Sequence, residues 1–181
     1  MCLLCGDAGA TRHGIAITER PAHRLGGLWW RGSFEDAAAS ALHPLIETVK
    51  DFSAARDTVW KSPIVGLSRN QSKDGFDYFV GIAVEESDAL PSGFQRLNVP
   101  ETTFASSWHG REDGDVVSHY GAMLEWLKLQ GHSVDASFCS QREEYPHDVD
   151  LTQAPTLRLM LPVRMVQNAG ATTRAIISER M

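Results

Sequence analysis

Two adjacent glutamates, Glu143 and Glu144, stand directly before Tyr145 at the end of a predicted strand. Successive side chains of a strand point to opposite faces, so only one of the two carboxylates can line a given pocket. A carboxylate surrounded by apolar side chains is costly to ionise, and its pKa stays raised until a cation pairs with it. From the residues alone, one of the two acids could line a pocket and there pair with a cation or accept a proton, or the acid is an ordinary exposed glutamate at the end of a strand.

Aromatic side chains are the second set that could take part in binding. Trp108 closes a predicted strand, and Phe104 lies two pleats earlier on the same face. Trp29 and Trp30 occupy the equivalent strand of the first half, and Tyr78 and Trp60 are expected nearby. Each ring face contributes about 0.5–2 kcal/mol to the binding of a cation. Rings beside an acid therefore favour planar or lipophilic cations, whereas Tyr120 and Trp126 fit a helical apolar stripe and are expected to pack.

Metal and cofactor chemistry find little support in the sequence. The seven histidines are dispersed without an HExxH spacing, so we expect no metal site. No Gly-rich loop fits a phosphate-bearing cofactor, and we expect no cofactor. Cys2 and Cys5 form a close pair near the start of the chain, but no second ligand pair accompanies them. We expect these cysteines to lie in a reduced N-terminal tail.

The charge balance argues against nucleic acid as a direct partner. The 181 residues include 23 acidic and 17 basic side chains, a formal net charge of −6. Binding to a phosphate backbone needs clustered Lys and Arg, and the sequence contains no such run. The longest apolar runs fall far short of the ~18–20 residues of a membrane span. We therefore expect a cytoplasmic domain that contacts neither nucleic acid nor membrane, and whose acidic balance suits a neutral or cationic ligand.

The order of predicted elements repeats along the chain. The first half has an extended segment at residues 15–31, helical spacing after a cap signal at Ser33, and strands at 64–68 and 76–84. Pro44 interrupts the helical segment, which predicts either a kink or a second helix that begins there.

The second half has an extended segment at 94–110 with a break at Pro100, a helix capped around Asp115, and strands at 137–144 and 156–163. We therefore expect an α+β fold of duplicated strand-helix-strand-strand units in a pseudo-two-fold arrangement. Its mixed or antiparallel sheet would carry the helices and a central groove. Repeat 1 is predicted at about 15–88 and repeat 2 at about 93–164, within a domain at 15–164 flanked by tails at 1–14 and 165–181.

A series of short motifs runs in order through residues 21–164. They are Pro21-Ala22-His23-Arg24-Leu25-Gly26-Gly27, Phe79-Val80-Gly81-Ile82-Ala83-Val84, Pro91-Ser92-Gly93-Phe94, Val99-Pro100 with Phe104, Trp126-Leu127 with Gly131, Glu143-Glu144-Tyr145-Pro146, and Leu161-Pro162-Val163. Their order and spacing resemble the GyrI-like domain, which gyrase inhibitors share with the effector domains of AraC-type and MerR-type regulators. The fold of that family is the one that the element order predicts.

The resemblance implies a groove for small molecules. In multidrug-binding relatives a buried acid faces a cationic ligand at the position of Glu143, with Glu144 as the neighbouring alternative. The resemblance therefore implies a hydrophobic, cationic ligand. The side chains expected to bind it are Glu143, Tyr145, Trp108, Phe104, Trp30 and Tyr78.

Two other roles stay open. Some stand-alone relatives hydrolyse strained, electrophilic molecules, which would make Glu143 a general base and Tyr145 or Tyr78 its hydroxyl partner. A role like that of the gyrase inhibitors would instead give the chain a protein partner, either gyrase or a separate regulator. Only about twenty residues precede Pro21, too few for a helix-turn-helix unit of three helices. We therefore expect a stand-alone bacterial effector-binding domain.

Overall fold

The apolar alternation of the sequence is realised as antiparallel strands in the computed structural model, which describes residues 14–56, 58–59, 61–154 and 156–164. The strands are β1 (Ala16–Arg20), β2 (His23–Gly32), β3 (Ile64–Arg69), β4 (Phe76–Ala83), β5 (Gln95–Val99), β6 (Thr102–His109), β7 (Ser133–Val134), β8 (Gln141–Tyr145) and β9 (Leu157–Arg164). The helices are α1 (Phe34–Ala38), α2 (His43–Ala55) and α3 (Val116–Leu129), with a 3-10 turn at Arg111–Asp113.

The sheet has a pseudo-two-fold arrangement. Its order is β1-β6-β9-β8-β3-β4-β2-β5, and the short β7 pairs with the end of β9. The halves meet where β3 pairs with β8. The edge strands are exchanged, because β1 pairs with β6 of the second half and β5 pairs with β2 of the first. Every pairing among the described strands is antiparallel, so the α+β fold with duplicated units is confirmed, with an antiparallel sheet rather than a mixed one.

Both long helices cover the same face of the sheet. Helix α2 packs on β2, β3 and β4, while α3 packs on β6 and β7. The apolar side chains beneath them alternate along β4 and β9 as predicted: Phe76, Tyr78, Val80, Ile82, Leu157, Leu159, Leu161 and Val163. Strand β8 lies between the strands that α2 and α3 contact. We call this face of β8, between α2 and α3, the groove.

Local signals set the helix ends. The Ser33 hydroxyl caps α1 by accepting a hydrogen bond from the Asp36 backbone N–H, and the Asp36 carboxylate accepts one from the Ser33 backbone N–H. Pro44 stands in the first turn of α2, so the second of the two predicted alternatives is the observed one. The Asp115 carboxylate caps α3 through the Ser118 backbone N–H. Gly131, just beyond α3, has a φ of 72° that few other residues adopt at low cost.

Two predicted strands have different bounds. The extended segment at 15–31 divides at Pro21 into β1 and β2, which lie in opposite halves of the sheet. The predicted strand at 137–144 begins only at Gln141, because residues 135–140 form a turn in which the Asp135 carboxylate accepts the Ser137 N–H. The segment at 94–110 breaks at Pro100 as predicted and gives β5 and β6.

Some predictions fall outside the described residues. They concern Cys2, Cys5, Trp60, most of the N-terminal tail and the C-terminal tail at 165–181. Among the helices in the described ranges, none has both the length and the apolar character needed to cross a membrane.

Candidate functional site

Glu143 lies at the centre of the groove floor. It is the third residue of β8, and its register partners are Gly66 on β3 and Leu159 on β9. Leu159 belongs to the core beneath the helices, so the Glu143 side chain shares that face. Glu144 points to the opposite face, as strand alternation requires.

Two tyrosine hydroxyls hold the Glu143 carboxylate. Tyr78 donates a hydrogen bond of 2.8 Å and Tyr145 one of 2.7 Å, both to Oε2. Among the described residues, none forms a hydrogen bond to Oε1 or an ion pair with this carboxylate. One carboxylate oxygen is therefore fixed and the other is left for a further partner.

Gly66 makes this arrangement possible. A Cβ at this position would overlap the hydroxyl oxygen and Cζ of Tyr78. Because Gly66 has no side chain, the Tyr78 ring can cross β3 from β4 and reach Glu143. Neither Gly66 nor its role was identified from the sequence, because the close approach depends on the register between β3, β4 and β8.

The environment shifts the protonation equilibria of all three groups. Burial raises the pKa of Glu143 above its ordinary value, although the hydrogen bonds from Tyr145 and Tyr78 and the charge of His109 oppose the shift. Burial, followed by the nearby Glu143 charge, raises the pKa of Tyr78 and that of Tyr145 well above the usual phenol value. The tyrosines therefore stay protonated as donors, and Glu143 binds its proton more tightly than an exposed glutamate.

Further aromatic side chains lie on the same face of the sheet as this carboxylate. Trp30 is the register partner of Tyr78 on β2, packs on the same core, and contacts the Phe76 ring edge-on at 5.4 Å. Tyr120 reaches the groove from α3, and its hydroxyl lies 3.5 Å from the Arg142 carbonyl oxygen. The Glu143 charge contributes, after burial, to a pKa of Tyr120 well above normal. Tyr120 packs as predicted, but its proximity to Glu143 was missed because it depends on how α3 crosses the sheet.

Glu144 is part of a buried charge cluster on the other face. Its carboxylate oxygens lie 3.0 Å from Arg20 Nη2, 2.8 Å from Arg142 Nη2 and 3.6 Å from Arg158 Nη1. All four side chains are at most 4% exposed. Burial alone would raise the pKa of Glu144, but the Arg20 hydrogen bond and the three positive charges outweigh it and hold this pKa below normal.

Two of the predicted ligand-binding aromatics belong to this opposite face. The Arg142 guanidinium carbon lies 5.8 Å from the Phe104 ring centre, and that of Arg158 lies 4.7 Å from Trp108. The structure therefore brings Tyr78 and Tyr145 into contact with Glu143. Trp30 shares their face of the sheet but lies on β2, three strands from β8, and Phe104 and Trp108 lie on the opposite face.

Trp108 does meet Tyr145 elsewhere. They line a cleft of about 190 Å³ at the end of β8 together with Lys61, Pro63, Glu144, Pro146, His147 and Arg158. Pockets for drug-sized ligands are about 300 Å³ or larger, so this cleft is too small for the ligands that the sequence leads us to expect.

A further cluster of polar side chains was not expected. His109, Asp113 and His119 lie close enough together to hold a metal ion. This cluster could not be predicted from the sequence, because His109 and His119 belong to different elements and their spacing matches no metal motif.

The family to which these features point is supported by direct comparison. A protein-family model described as the GyrI-like small molecule binding domain matches residues 13–164. Among curated proteins, none matches the sequence significantly.

Several solved structures have a similar fold. EcmrR in a complex with DNA has a TM-score of 0.63 and 12% identity, over 84% of this chain and 58% of that one, so this chain spans little more than half of EcmrR. SAV2435 bound to tetraphenylphosphonium has a TM-score of 0.63 and 13% identity, over 83% of this chain and 94% of that one. A hydrolase from Listeria innocua has a TM-score of 0.55 and 14% identity, over 86% and 94%. At these identities the similarity shows a shared fold.

Proposed function

Because this chain belongs to the GyrI-like family of small-molecule-binding domains, we propose that its groove binds a hydrophobic cation, with Glu143 as the counter-ion. The observation that carries the proposal is the state of the two neighbouring carboxylates. Glu144 is neutralised by three arginines, whereas none of the described residues forms an ion pair with Glu143. An acid that is enclosed but unpaired is suited to a partner that arrives from solution.

The energetics favour a cationic ligand. A positive charge about 4 Å from ionised Glu143 gains roughly 4 kcal/mol at an effective dielectric of about 20, before desolvation is subtracted. Binding would favour the ionised carboxylate, so it would release a proton wherever Glu143 is protonated in the free protein. The Tyr78 and Tyr145 hydroxyls already hold Oε2 in place in the free protein. Binding a ligand therefore costs less conformational entropy of the Glu143 side chain.

Aromatic side chains supply the hydrophobic part of the proposed site. Tyr78, Tyr145, Trp30 and Tyr120 share the face of Glu143 or reach it, and each ring in contact with a cation adds about 0.5–2 kcal/mol. Phe104 and Trp108 would contribute only to a ligand on the other side of the sheet. SAV2435, which shares the fold, is described as bound to tetraphenylphosphonium, a cation of this chemical class.

Titration with tetraphenylphosphonium tests the proposal. Tryptophan fluorescence is followed for the wild type, for Glu143→Gln and for the exposed control Glu101→Gln. We expect saturable binding that is at least about tenfold weaker in Glu143→Gln, a change of about 1.4 kcal/mol or more. Glu101→Gln should bind the cation as tightly as the wild type does. Neutral triphenylphosphine oxide should bind the wild type and Glu143→Gln equally. The proposal fails if a panel of lipophilic cations shows no saturable binding, or if Glu143→Gln leaves it unchanged.

Hydrolysis of an electrophilic small molecule is the second candidate function. The observation that favours it is the contact of two tyrosine hydroxyls with one glutamate, because Glu143 could accept a proton from water while a tyrosine donates to the departing atom. A protein of similar fold is described as a hydrolase. Incubation of stoichiometric protein with an epoxide, followed by mass spectrometry, separates the two functions. Consumption that Glu143→Gln abolishes supports catalysis, and an intact epoxide after long incubation supports binding alone.

The wider setting is also part of the proposal. We place the protein in the bacterial cytoplasm, where it would bind multidrug-type ligands as a partner of a regulator or of gyrase. Capture of purified gyrase by the immobilised protein, compared with capture of an unrelated DNA-binding enzyme, tests the second of these partners. No retention of gyrase above that control would remove it.

A further inference from the structure

Three side chains of the types that can bind a metal meet at the end of β6, and the proposed function uses none of them. His109 is the last residue of β6, Asp113 lies in the following 3-10 turn, and His119 stands in the first turn of α3. One potential ligand atom from each lies within 4.8 Å of the others. The two Nδ1 atoms are 3.0 Å apart, and His109 is only 6% exposed.

The outer atoms of this cluster are already held by other groups. His119 Nε2 lies 3.0 Å from Ser107 Oγ, so the ring is oriented with Nδ1 towards His109. The Asp113 Oδ2 atom accepts the Gly110 backbone N–H at 2.7 Å. Metal-binding histidines are commonly fixed in this way through the ring nitrogen that does not bind the metal. Supporting contacts of this kind are therefore present for His119 and Asp113.

The distances and ligand types fit a transition metal. Nitrogen and oxygen ligands about 2.0–2.1 Å from zinc are separated from one another by about 3.3–3.4 Å in tetrahedral geometry and by about 2.8–3.0 Å for neighbours in octahedral geometry. The observed Nδ1 separation of 3.0 Å matches the octahedral distance and is about 0.3 Å shorter than the tetrahedral one. One potential ligand atom of Asp113 lies within 4.8 Å of one from each histidine. Two imidazoles with one carboxylate favour zinc and its neighbours over calcium or magnesium, which prefer oxygen ligands.

We propose that His109, Asp113 and His119 bind one divalent transition-metal ion of the zinc class. Three protein ligands leave a coordination position for water or for a donor atom of a small molecule, as in catalytic rather than structural zinc sites. The site lies on the helix-covered face. Ser107, which contacts His119, is the register partner of Leu159, and Leu159 is the register partner of Glu143. Ser107 and Glu143 are therefore two strand spacings apart, ~10 Å.

Zinc binding by the tag-free protein tests the proposal. The background is a Cys2→Ser, Cys5→Ser chain, because these two cysteines could bind zinc independently of the cluster. After treatment with a chelator, the protein is titrated with Zn²⁺ in competition with a chromophoric chelator, and bound metal is measured by elemental analysis. We expect one ion per chain.

Variants of single ligands locate that ion. His119→Gln is expected to weaken zinc binding about 100-fold and Ser107→Ala about tenfold. Exposed His147→Gln is the matched control and should bind zinc like the background protein. Substoichiometric zinc in the background protein would overturn the proposal, as would unchanged affinity in His119→Gln.

A separate readout covers the case in which a variant fails to fold. Far-UV circular dichroism verifies each chain, and a metal that binds only the folded state raises the unfolding temperature in proportion to its occupancy. The background protein should show this rise with Zn²⁺ but not with Mg²⁺. No rise at saturating Zn²⁺ would also overturn the proposal.

Discussion

Replacing Glu144 by Gln is expected to lower the free energy of unfolding by about 3–5 kcal/mol, the cost of removing one partner from a buried ion pair. The carboxylate is 4% exposed, and it contacts Arg20 and Arg142 at 3.0 and 2.8 Å. Arg158, at 3.6 Å, is also buried. Glutamine keeps the shape of the side chain and one acceptor oxygen. It leaves three buried positive charges without the negative charge that offsets them.

Urea denaturation at pH 7, followed by tryptophan fluorescence and circular dichroism, measures this loss. With an m-value of about 2 kcal/mol/M, a loss of about 4 kcal/mol moves the midpoint down by about 2 M. Glu143→Gln is the matched control, because it makes the same chemical change one residue earlier in β8. A midpoint for Glu144→Gln within about 0.3 M of the wild type would refute the view that Glu144 is the charge holding these arginines.

The pH dependence of stability has opposite signs for the two glutamates. The folded-state pKa of Glu144 is lowered because its arginine contacts outweigh burial, so its contribution is complete above the unfolded pKa of about 4.3 and is lost as the pH falls through the folded value. Burial raises the pKa of Glu143, so its ionisation reduces stability as the pH rises from about 4.3 to the folded value. Within that window, the stability gained by Glu143→Gln should grow by about 1.4 kcal/mol per pH unit.

Two further changes test the geometry of the groove. Gly66→Ala should destabilise the protein by about 1–3 kcal/mol and weaken cation binding, because the new Cβ displaces Tyr78. Gly121 lies at an exposed position of α3, and a Cβ added there would have no atom within 4 Å. Gly121→Ala should therefore raise the free energy of unfolding by about 0.5–1 kcal/mol in the same urea series. Tyr78→Phe or Tyr145→Phe removes a hydrogen bond that lowers the pKa of Glu143, so this pKa should rise in either variant. As the pH is lowered, Glu143 should then become protonated, and cation affinity should be lost, at a higher pH than in the wild type. An unchanged pH profile of tetraphenylphosphonium binding in both variants would contradict that linkage.

The element order could be predicted because short local patterns in each half indicate where each strand and helix lies. The alternation of Phe76, Tyr78 and Val80 predicts a half-buried strand, and the caps at Ser33 and Asp115 fix two helix starts without reference to the rest of the chain. The exchange of β1 and β5 between the halves could not be predicted in this way. It depends on which edge each strand pairs with, and the periodicity of a strand carries no information about its partner.

The site was predictable only along single strands. Alternation correctly separates Glu143 from Glu144, and it places Phe104 and Trp108 on one face of β6. It does not say whether that face of β6 is the one that Glu143 shares, because this depends on the register from β6 through β9 to β8. The cluster of His109, Asp113 and His119 was missed for the same reason, since α3 must fold back over β6 to assemble it.

The duplication explains why the groove holds one acid rather than two. Gly66 is the third residue of β3 and Glu143 the third of β8, and the two are paired directly where the halves meet. These are equivalent positions of the two units, so the pseudo-two-fold axis passes between them. Two glutamates there would place like charges side by side, whereas glycine in one unit leaves room for the Tyr78 hydroxyl to reach the single carboxylate. A cation bound over this pair would meet charge from β8 alone, and its orientation in a nearly symmetric groove would follow from that asymmetry.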